Sequence, residues 1–514
     1  MMGILRTILL AATGLAATGA AFAQQTDSAS LFRTQREHAS PVAALAATAY
    51  ATPALRSEAF AGSLSEISVG YEMRREEKAL EQQKGDGGDF GRFSAGSYKH
   101  ISGKGTVWGD AGYLRGAKRN VVWNASSDYD LVFPYVVADS IGGDLTSEEY
   151  TFGGGYGHRS GRYTWALEAG ARALHEYSDS DPRIRNVAID IDAGAGASVR
   201  MGNYRLGLSA ALRVYKQSGS QIQYAHSAGE KGVYHLSGLG SHYAGFEGNA
   251  NSQTRYRGSG YGLTLALVPD AGRGGLHLAA GYEYLHIEKE LPGSADLVLQ
   301  KVVPRSFHAE AAWLGGSGNG LRWGVALKAR YDYRRGDEGI VDDNNSSQGS
   351  GTLGFLTLFE YSALQGRAEA VFGVEAAGHA WYVCPWGEYR RRTSDYLYPA
   401  QNMEFTRAGG GVDFRCVLQR RSLLLRLEAG GGYTAGLDSG LTLPVADLAA
   451  PLVRMVQYDY DRLRQDAATF RLGLRADYAL RRRMSLFLAA DYGGGLYGDN
   501  TAAHHARVAC GIAF

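Results

Sequence analysis

Residues 187–201 read VAIDIDAGAGASVRM, 202–203 read GN, and 204–215 read YRLGLSAALRVY; this stretch decides how the rest of the chain is read. Val187, Ile189, Ile191, Val199 and Met201 occupy alternate positions, with Asp190, Asp192, Ser198 and Arg200 between them. A period of two belongs to a β-strand, whose successive side chains leave opposite faces. Gly202-Asn203 is turn chemistry. The pattern then resumes with Tyr204, Leu206, Leu208, Leu212 and Val214 against Arg205, Ser209 and Arg213. The whole reads as an amphipathic hairpin.

The same alternation recurs on both sides of this hairpin. Tyr163, Trp165, Leu167, Ala169, Ala171 and Ala173 oppose Thr164, Glu168, Gly170 and Arg172. Leu321, Trp323, Val325, Leu327 and Tyr331 oppose Arg322, Lys328, Arg330 and Asp332, and Phe470, Leu472, Leu474 and Tyr478 oppose Arg471, Arg475 and Asp477. In a soluble sandwich the second face would meet another apolar sheet, whereas here it is small or charged. A transmembrane barrel wants that distribution, with apolar residues toward lipid and polar ones toward the lumen. The fold expected for residues 63–514 is an all-β antiparallel transmembrane barrel of about 18 strands, within 16–20, with both termini periplasmic.

Tight periplasmic turns are expected near 102–105, 160–161, 202–203, 270–274, 315–320, 363–366, 419–421 and 481–483. Long extracellular connections are expected at 115–146, 217–251, 335–349, 384–400 and 438–465. Tyr163, Trp165, Tyr204, Trp313, Trp323 and Tyr478 would form the aromatic belt beside the turns. Tyr177, Tyr215, Tyr284, Tyr333, Tyr433 and Tyr492 would lie toward the other ends.

The ends agree with an exported barrel. Residues 1–23 read as a signal peptide: Arg6, a short apolar run from Ile8 to Ala20, and Ala21-Phe22-Ala23 as the cleavage site. Residues 24–62 lack the alternation, look partly helical and apolar, and are expected to lie in the lumen or at the periplasmic rim. The last strand ends on Phe514 in phase with Ile512, Cys510 and Val508, like the signal by which barrel assembly machinery recognises its clients. Elsewhere no apolar run is long enough for a spanning helix, although 45% of residues are hydrophobic. The 70 Gly and 32 Tyr against 11 Pro suit closely packed strands and aromatic belts, and a net charge of +1 argues against a nucleic-acid partner. Cys416 and Cys510 share phase with apolar neighbours and should face lipid; a disulfide involving Cys384 is the alternative use of the third thiol.

One block stands apart: Trp123-Asn124-Ala125-Ser126-Ser127-Asp128-Tyr129, then Pro134-Tyr135, Asp139-Ser140 and Gly142-Gly143-Asp144-Leu145, leading into Tyr150 to Tyr156. With the C-terminal Phe and the chain length, it resembles an uncharacterised family of Bacteroidota outer-membrane barrels, a domain of unknown function. The resemblance implies outer-membrane location and a barrel over most of the mature chain. It carries over no catalytic or binding residue.

Enzyme motifs are missing: there is no Gly-x-Ser-x-Gly elbow, no His-Glu-x-x-His and no phosphate-binding Gly-x4-Gly-Lys-Ser/Thr. No enzyme activity, cofactor or metal is expected. Asp128, Asp130, Asp139, Asp144, Glu148 and Glu149 are hard-cation ligands by type, but their spacing is not that of a calcium loop, and pairing with arginines is the expected fate. His226, His235 and His242 are too widely spaced for a compact metal site, and Arg335-Gly336-Asp337 is a short adhesion-like tripeptide. The functional expectation is a channel or uptake barrel for a small solute. Its lumen would be lined by Arg322, Lys328, Arg330, Arg471 and Arg475 with Glu168, Asp190 and Glu428, and its mouth controlled by the loop carrying Trp123, Asn124, Asp128, Tyr129, Tyr135, Asp139 and Asp144. Two alternatives are a surface protein displaying long loops to an envelope lipoprotein or receptor partner, and a lipid-modifying envelope enzyme.

Overall fold

The computed structural model describes residues 29–180, 183–219, 233–243, 253–270, 274–292, 297–316, 320–341, 352–444, 450–481 and 483–514. The signal-peptide expectation for residues 1–23 lies outside them, as does His226.

Eighteen antiparallel strands form one sheet in which each pairs with its neighbours in sequence. The first, Leu64–Glu76, pairs with the second, Gly87–His100, and also with the last, Ala502–Ala513, so the sheet closes without an edge. Closure is what lets a sheet cross lipid, because every ladder N–H and C=O then has a partner. No helix among the described residues is long and apolar enough to cross a membrane.

The hairpin that opened the reading forms as expected. Strand Arg185–Met201 pairs with Tyr204–Gly219, setting Ala197 opposite Leu208 and Met201 opposite Tyr204. Ile191 and Leu208 point outward and are 48% and 58% exposed, while Asp190 and Arg213 meet inside the barrel at 2.6 Å. Outside the wall the large apolar side chains have only lipid to contact, which is the arrangement of a transmembrane barrel.

Three connections differ from expectation. Residues 363–366 lie within the continuous strand Thr352–Glu375, and the chain turns at 376–378 instead. Gly366 has open space where a side chain would begin, so its presence marks the strand surface and not a turn. Residues 384–396 belong to the strand His379–Tyr396, leaving only 397–400 as a connection. Its Arg390-Arg391-Arg392 run hides the period of two: Arg390 reaches Glu388 and Arg392 reaches Glu81 on the luminal side, while Arg391 pairs with Glu404 on the other face. The tripeptide 335–337 is also strand, within Gly320–Val341, with Arg335 and Asp337 paired to each other at 3.1 Å.

The chain before the first strand folds inside the barrel at its short-turn end. Helix Ala29–His38 is followed by one-turn helices Pro41–Ala44 and Pro53–Arg56, each opening on a proline whose missing N–H costs nothing there. Gln35 donates to Asp477 and Ser485, Arg36 to the Ala376 carbonyl, and Arg205 donates to Glu58. Val42, Leu45 and Ala46 pack on Ala312, Ala326, Val371 and Tyr382, and Phe32 packs on Leu424 and Ala479. Leu55 fills the space over Gly207, where a Cβ would lie 2.9 Å from its Cγ. This plug therefore touches inward-facing residues around most of the wall.

Candidate functional site: a luminal chamber between two stoppers

The opposite end carries the long connections, and three of them turn back into the mouth. Residues 122–142 cross it, joined by a small sheet in which Val137–Asp139 pairs with Val233–Gly238, and by helix Pro451–Leu463. Val132, Tyr135, Val136, Leu236, Leu452 and Val456 form one buried cluster with the wall residues Tyr215, Tyr256, Ile287, Val302, Phe359 and Phe405. An apolar surface of that size would be unfavourable in water, and burying it fixes the loop as a cap.

Each loop residue singled out in the sequence has a place in this cap. Trp123 is buried against Tyr234, with its backbone N–H donating to the Asp139 carbonyl. The Asn124 amide donates to the Gln83 carbonyl, and its oxygen accepts from the Ser126 N–H. Asp128 takes Arg172 at 2.6 Å and the Tyr215 hydroxyl at 3.0 Å, tying the cap to two wall strands. Tyr129 lies against Phe133 and beneath Lys84. Tyr135 is buried, and its carbonyl accepts from the Tyr256 hydroxyl. Asp139 closes a turn by accepting from Ile141 and Gly142, and Asp144 accepts from the Asn120 N–H. The six carboxylates do not converge: Asp130 pairs with Lys84, Glu148 with Arg115 and Glu149 with Arg172. No His/Cys/Asp/Glu group suited to a metal occurs among the described residues. His235 is buried and His242 packs on Tyr234.

Helix Pro451–Leu463 stands where the sequence predicts the long connection 438–465. It is pinned by Arg462, which donates to the carbonyls of Lys78 and Ala79 and to Asp499 and Thr501. Asp459 is buried on its inner face and accepts from the Gln82 N–H at 3.2 Å and from the Gln83 amide at 2.8 Å. Burial pushes the Asp459 carboxyl up to about 7, with the two donors only partly opposing it. Burial also works to raise the neighbouring Glu81, but Arg392 and Lys84 outweigh it and hold that carboxyl below its usual range. A raised carboxyl binds its proton more tightly when docked, so helix docking is strongest below about pH 4 and weakens up to about pH 7. With the intrinsic base-catalysed rise in exchange divided out, protection of residues 451–463 should fall across that window in the native protein and stay flat in Asp459→Asn; equal pH dependence of protection in both would refute the assignment.

Between cap and plug lies a polar chamber. The cap tip Tyr129-Asp130-Leu131 borders two cavities of about 540 and 570 Å³, the first reaching Glu72, Lys118, Glu176 and Asp190, the second Asp192, Glu283, Arg330 and Arg392. A larger hollow of about 940 Å³ is lined by Leu206, Leu265, Leu278 and Leu327 on the outer face and belongs to the lipid side of the wall. The lumen residues expected from the sequence are ion-paired: Arg322 with Glu375, Lys328 with Glu369, Arg330 with Asp332, Arg471 with Asp413 and Arg475 with Asp477. Asp190 takes Arg213, Glu428 takes Arg415, and Glu168 has Arg56 of the plug at 3.9 Å. Cys384 faces inward beside the plug cluster, and all three cysteines are free, so no disulfide forms.

The fold and interior define a transmembrane β-barrel stoppered at both ends by its own chain. Over residues 53–514 the sequence matches the family described as "Family of unknown function (DUF6850)", and the chain belongs to that family. No curated protein matches it. Similar solved structures include the alcaligin outer-membrane receptor FauA of Bordetella pertussis, at 10% identity, covering 86% of this chain and 76% of that one with a TM-score of 0.34. Another is BauA, the ferric preacinetobactin receptor of Acinetobacter baumannii, at 9% identity, 88% and 79% coverage and a TM-score of 0.38. The ferric-catecholate import receptor Fiu of E. coli K12 gives 9% identity, 87% and 81% coverage and a TM-score of 0.35. No residue or ligand is carried over from them.

Proposed function

We propose that the protein is an outer-membrane uptake barrel that admits a small polar solute into the chamber past a movable cap, with residues 29–62 as the second gate. The observation that supports this most is the position of loop 122–142, whose Val132 and Tyr135 are buried in the mouth above a polar interior. A loop serving as display for a protein partner would present Trp123 and Tyr135 to solvent, and both are buried. In this reading the short-turn end and both mature termini are periplasmic, residues 1–23 are removed, and the long connections face outward.

Cys384 supplies the test. In a protein with Cys416→Ser and Cys510→Ser, a membrane-impermeant maleimide should react slowly with Cys384, and far faster once 124–144 is replaced by a short Gly-Ser linker. Equal rates, with the barrel shown to be folded, would mean that the cap does not control entry.

Phe514 bears on assembly. Its N–H and carbonyl both pair with Ser65 at 2.9 and 2.7 Å, so the last residue closes the seam of the barrel. Deleting Phe514, or replacing it with Asp, should lower the yield of heat-modifiable barrel in the outer membrane. Unchanged yield would remove the C-terminal assembly signal from the account.

A further inference from the structure

The lipid-facing side of the wall is not uniform. Ala280, Ala309, Ala329 and Gly366 stand opposite one another in register on four successive strands. One row nearer the long connections stand Tyr282, Phe307, Tyr331 and Leu364, and one row nearer the short turns stand Leu278, Ala311, Leu327 and Ala368. Phe307, Tyr331, Leu364 and Leu327 are exposed on the outer face, so all three rows point outward. The small row is the floor of the outer hollow of about 940 Å³, with a ridge of rings above it. A side chain begun at Gly366 would meet nothing within 4 Å, so no described part of this chain fills the groove there.

A cation lies beyond the ridge on the same strands. Along Leu297–Gly315 the outward residues run Trp313, Ala311, Ala309, Phe307 and Arg305, while Ser306 turns inward and donates to Asp332. At about 3.3 Å per residue, Trp313 and Arg305 are about 26 Å apart along the strand, or about 20 Å in membrane height after the strand tilt. Arg305 therefore reaches the edge of an apolar band about 25 Å tall, between Tyr284 and Tyr333 of the neighbouring strands. The outward cations beside it are neutralised: Lys301 takes Glu288 at 2.9 Å and Arg335 takes Asp337 at 3.1 Å. Arg305 has neither an ion pair nor a hydrogen bond among the described residues. Its guanidinium presents five donors in a fork, and the oxygens of a phosphate match that geometry.

We propose that this sector holds one lipid from the leaflet at the long-connection end, with a phosphate on Arg305 and an acyl chain laid in the groove over Ala309, Ala329 and Gly366. The inference is independent of the uptake reading. From Arg305 to Ala309 is four residues of strand, about 13 Å, which is less than the roughly 15 Å depth of one leaflet's hydrocarbon, so a single lipid reaches both. The phosphate supplies the counter-charge that Arg305 lacks, at a depth where opposite charges attract more strongly than in bulk water. The chain gains dispersion contact with the groove floor and with the rings of Phe307 and Tyr331 together, which a smooth wall does not offer.

Native mass spectrometry of the intact chain, titrated in detergent, counts the bound molecules. Three probes separate the parts: dipalmitoyl phosphatidic acid carries phosphate and chains, dipalmitoylglycerol the chains alone, and glycerol phosphate the headgroup alone. Phosphatidic acid should bind as one equivalent, at least about tenfold more tightly than either of the others. Arg305→Gln should lower its affinity to that of dipalmitoylglycerol. Arg115→Gln removes another outward arginine, paired with Glu148 and seven strands round the ring, and should leave the affinity unchanged. Ala309→Leu with Ala329→Leu fills the groove floor and should weaken phosphatidic acid and dipalmitoylglycerol alike. Heat-modifiable migration checks that every variant is a folded barrel. Equal binding of phosphatidic acid and dipalmitoylglycerol, equal effects of Arg305→Gln and Arg115→Gln, or unchanged lipid binding with the groove filled would overturn the proposal. So would a dimer that the two leucines abolish, because the occupant of the groove would then be a second copy of this chain.

Discussion

Replacing Leu208 by Arg is expected to cost about 2–4 kcal/mol of folding stability, while Ser209→Arg, one residue along, should cost far less. Leu208 is 58% exposed on the outer face, one position from the middle of the outward apolar run Leu206, Leu208, Ala210, Leu212 and Val214. A guanidinium there must enter hydrocarbon, or drag water and headgroups to itself. Ser209 lies on the inward face, four residues from Arg213 and its partner Asp190, where water and carboxylates can receive a charge. Urea unfolding in lipid vesicles measures both. The reverse order of stabilities would mean that the inner and outer faces are interchanged.

The second large effect concerns the cap. Phe359 is fully buried, holds Phe133 edge-on with ring centroids 5.5 Å apart, and lies so close to Gly238 that a Cβ there would come within 2.7 Å of its ring. Phe359→Ala removes the ring from the junction of wall, loop and small sheet and should weaken cap docking by about 3–5 kcal/mol. Because the cap can open without breaking the barrel ladders, the loss should appear as faster amide exchange in 122–142 and 233–243 at nearly unchanged barrel unfolding. Exchange unchanged in both segments would show that the cap is not held by this cluster.

Much of this was legible in the sequence because a barrel wall writes its facing residue by residue. Val187 to Val214 reads as one hairpin without help from the rest of the chain. The reading failed where composition masks the period: Arg390-Arg391-Arg392 looked like a polar loop, yet only Arg391 points away from the lumen. Gly366 looked like a turn but needs none. The candidate site was less legible. Trp123 and Tyr135 could be marked as a possible cover for the mouth from their aromatic character, but their partners Tyr234, Tyr256 and Phe359 come from distant parts of the chain. Helix Pro451–Leu463 buries a stripe of Leu452, Met455, Val456, Asp459 and Arg462 inside a stretch that reads as an extracellular loop. The contact of Asp459 with Gln83 joins residues 376 apart, which no local pattern encodes. The ion pairs depend on strand register, which alternation leaves open by steps of two.

Single-channel conductance of four proteins in planar bilayers tests the central claim, that this is a solute pathway closed by its own chain at both ends. The four are the intact barrel, one with 124–144 replaced by a Gly-Ser linker, one lacking 29–62, and one with both changes, each shown to migrate as a folded barrel. The intact protein should stay closed, either single change should give at most brief openings, and the double change should conduct steadily. A folded double variant that carries no current, or an intact protein that conducts as well as the double variant, would contradict the account.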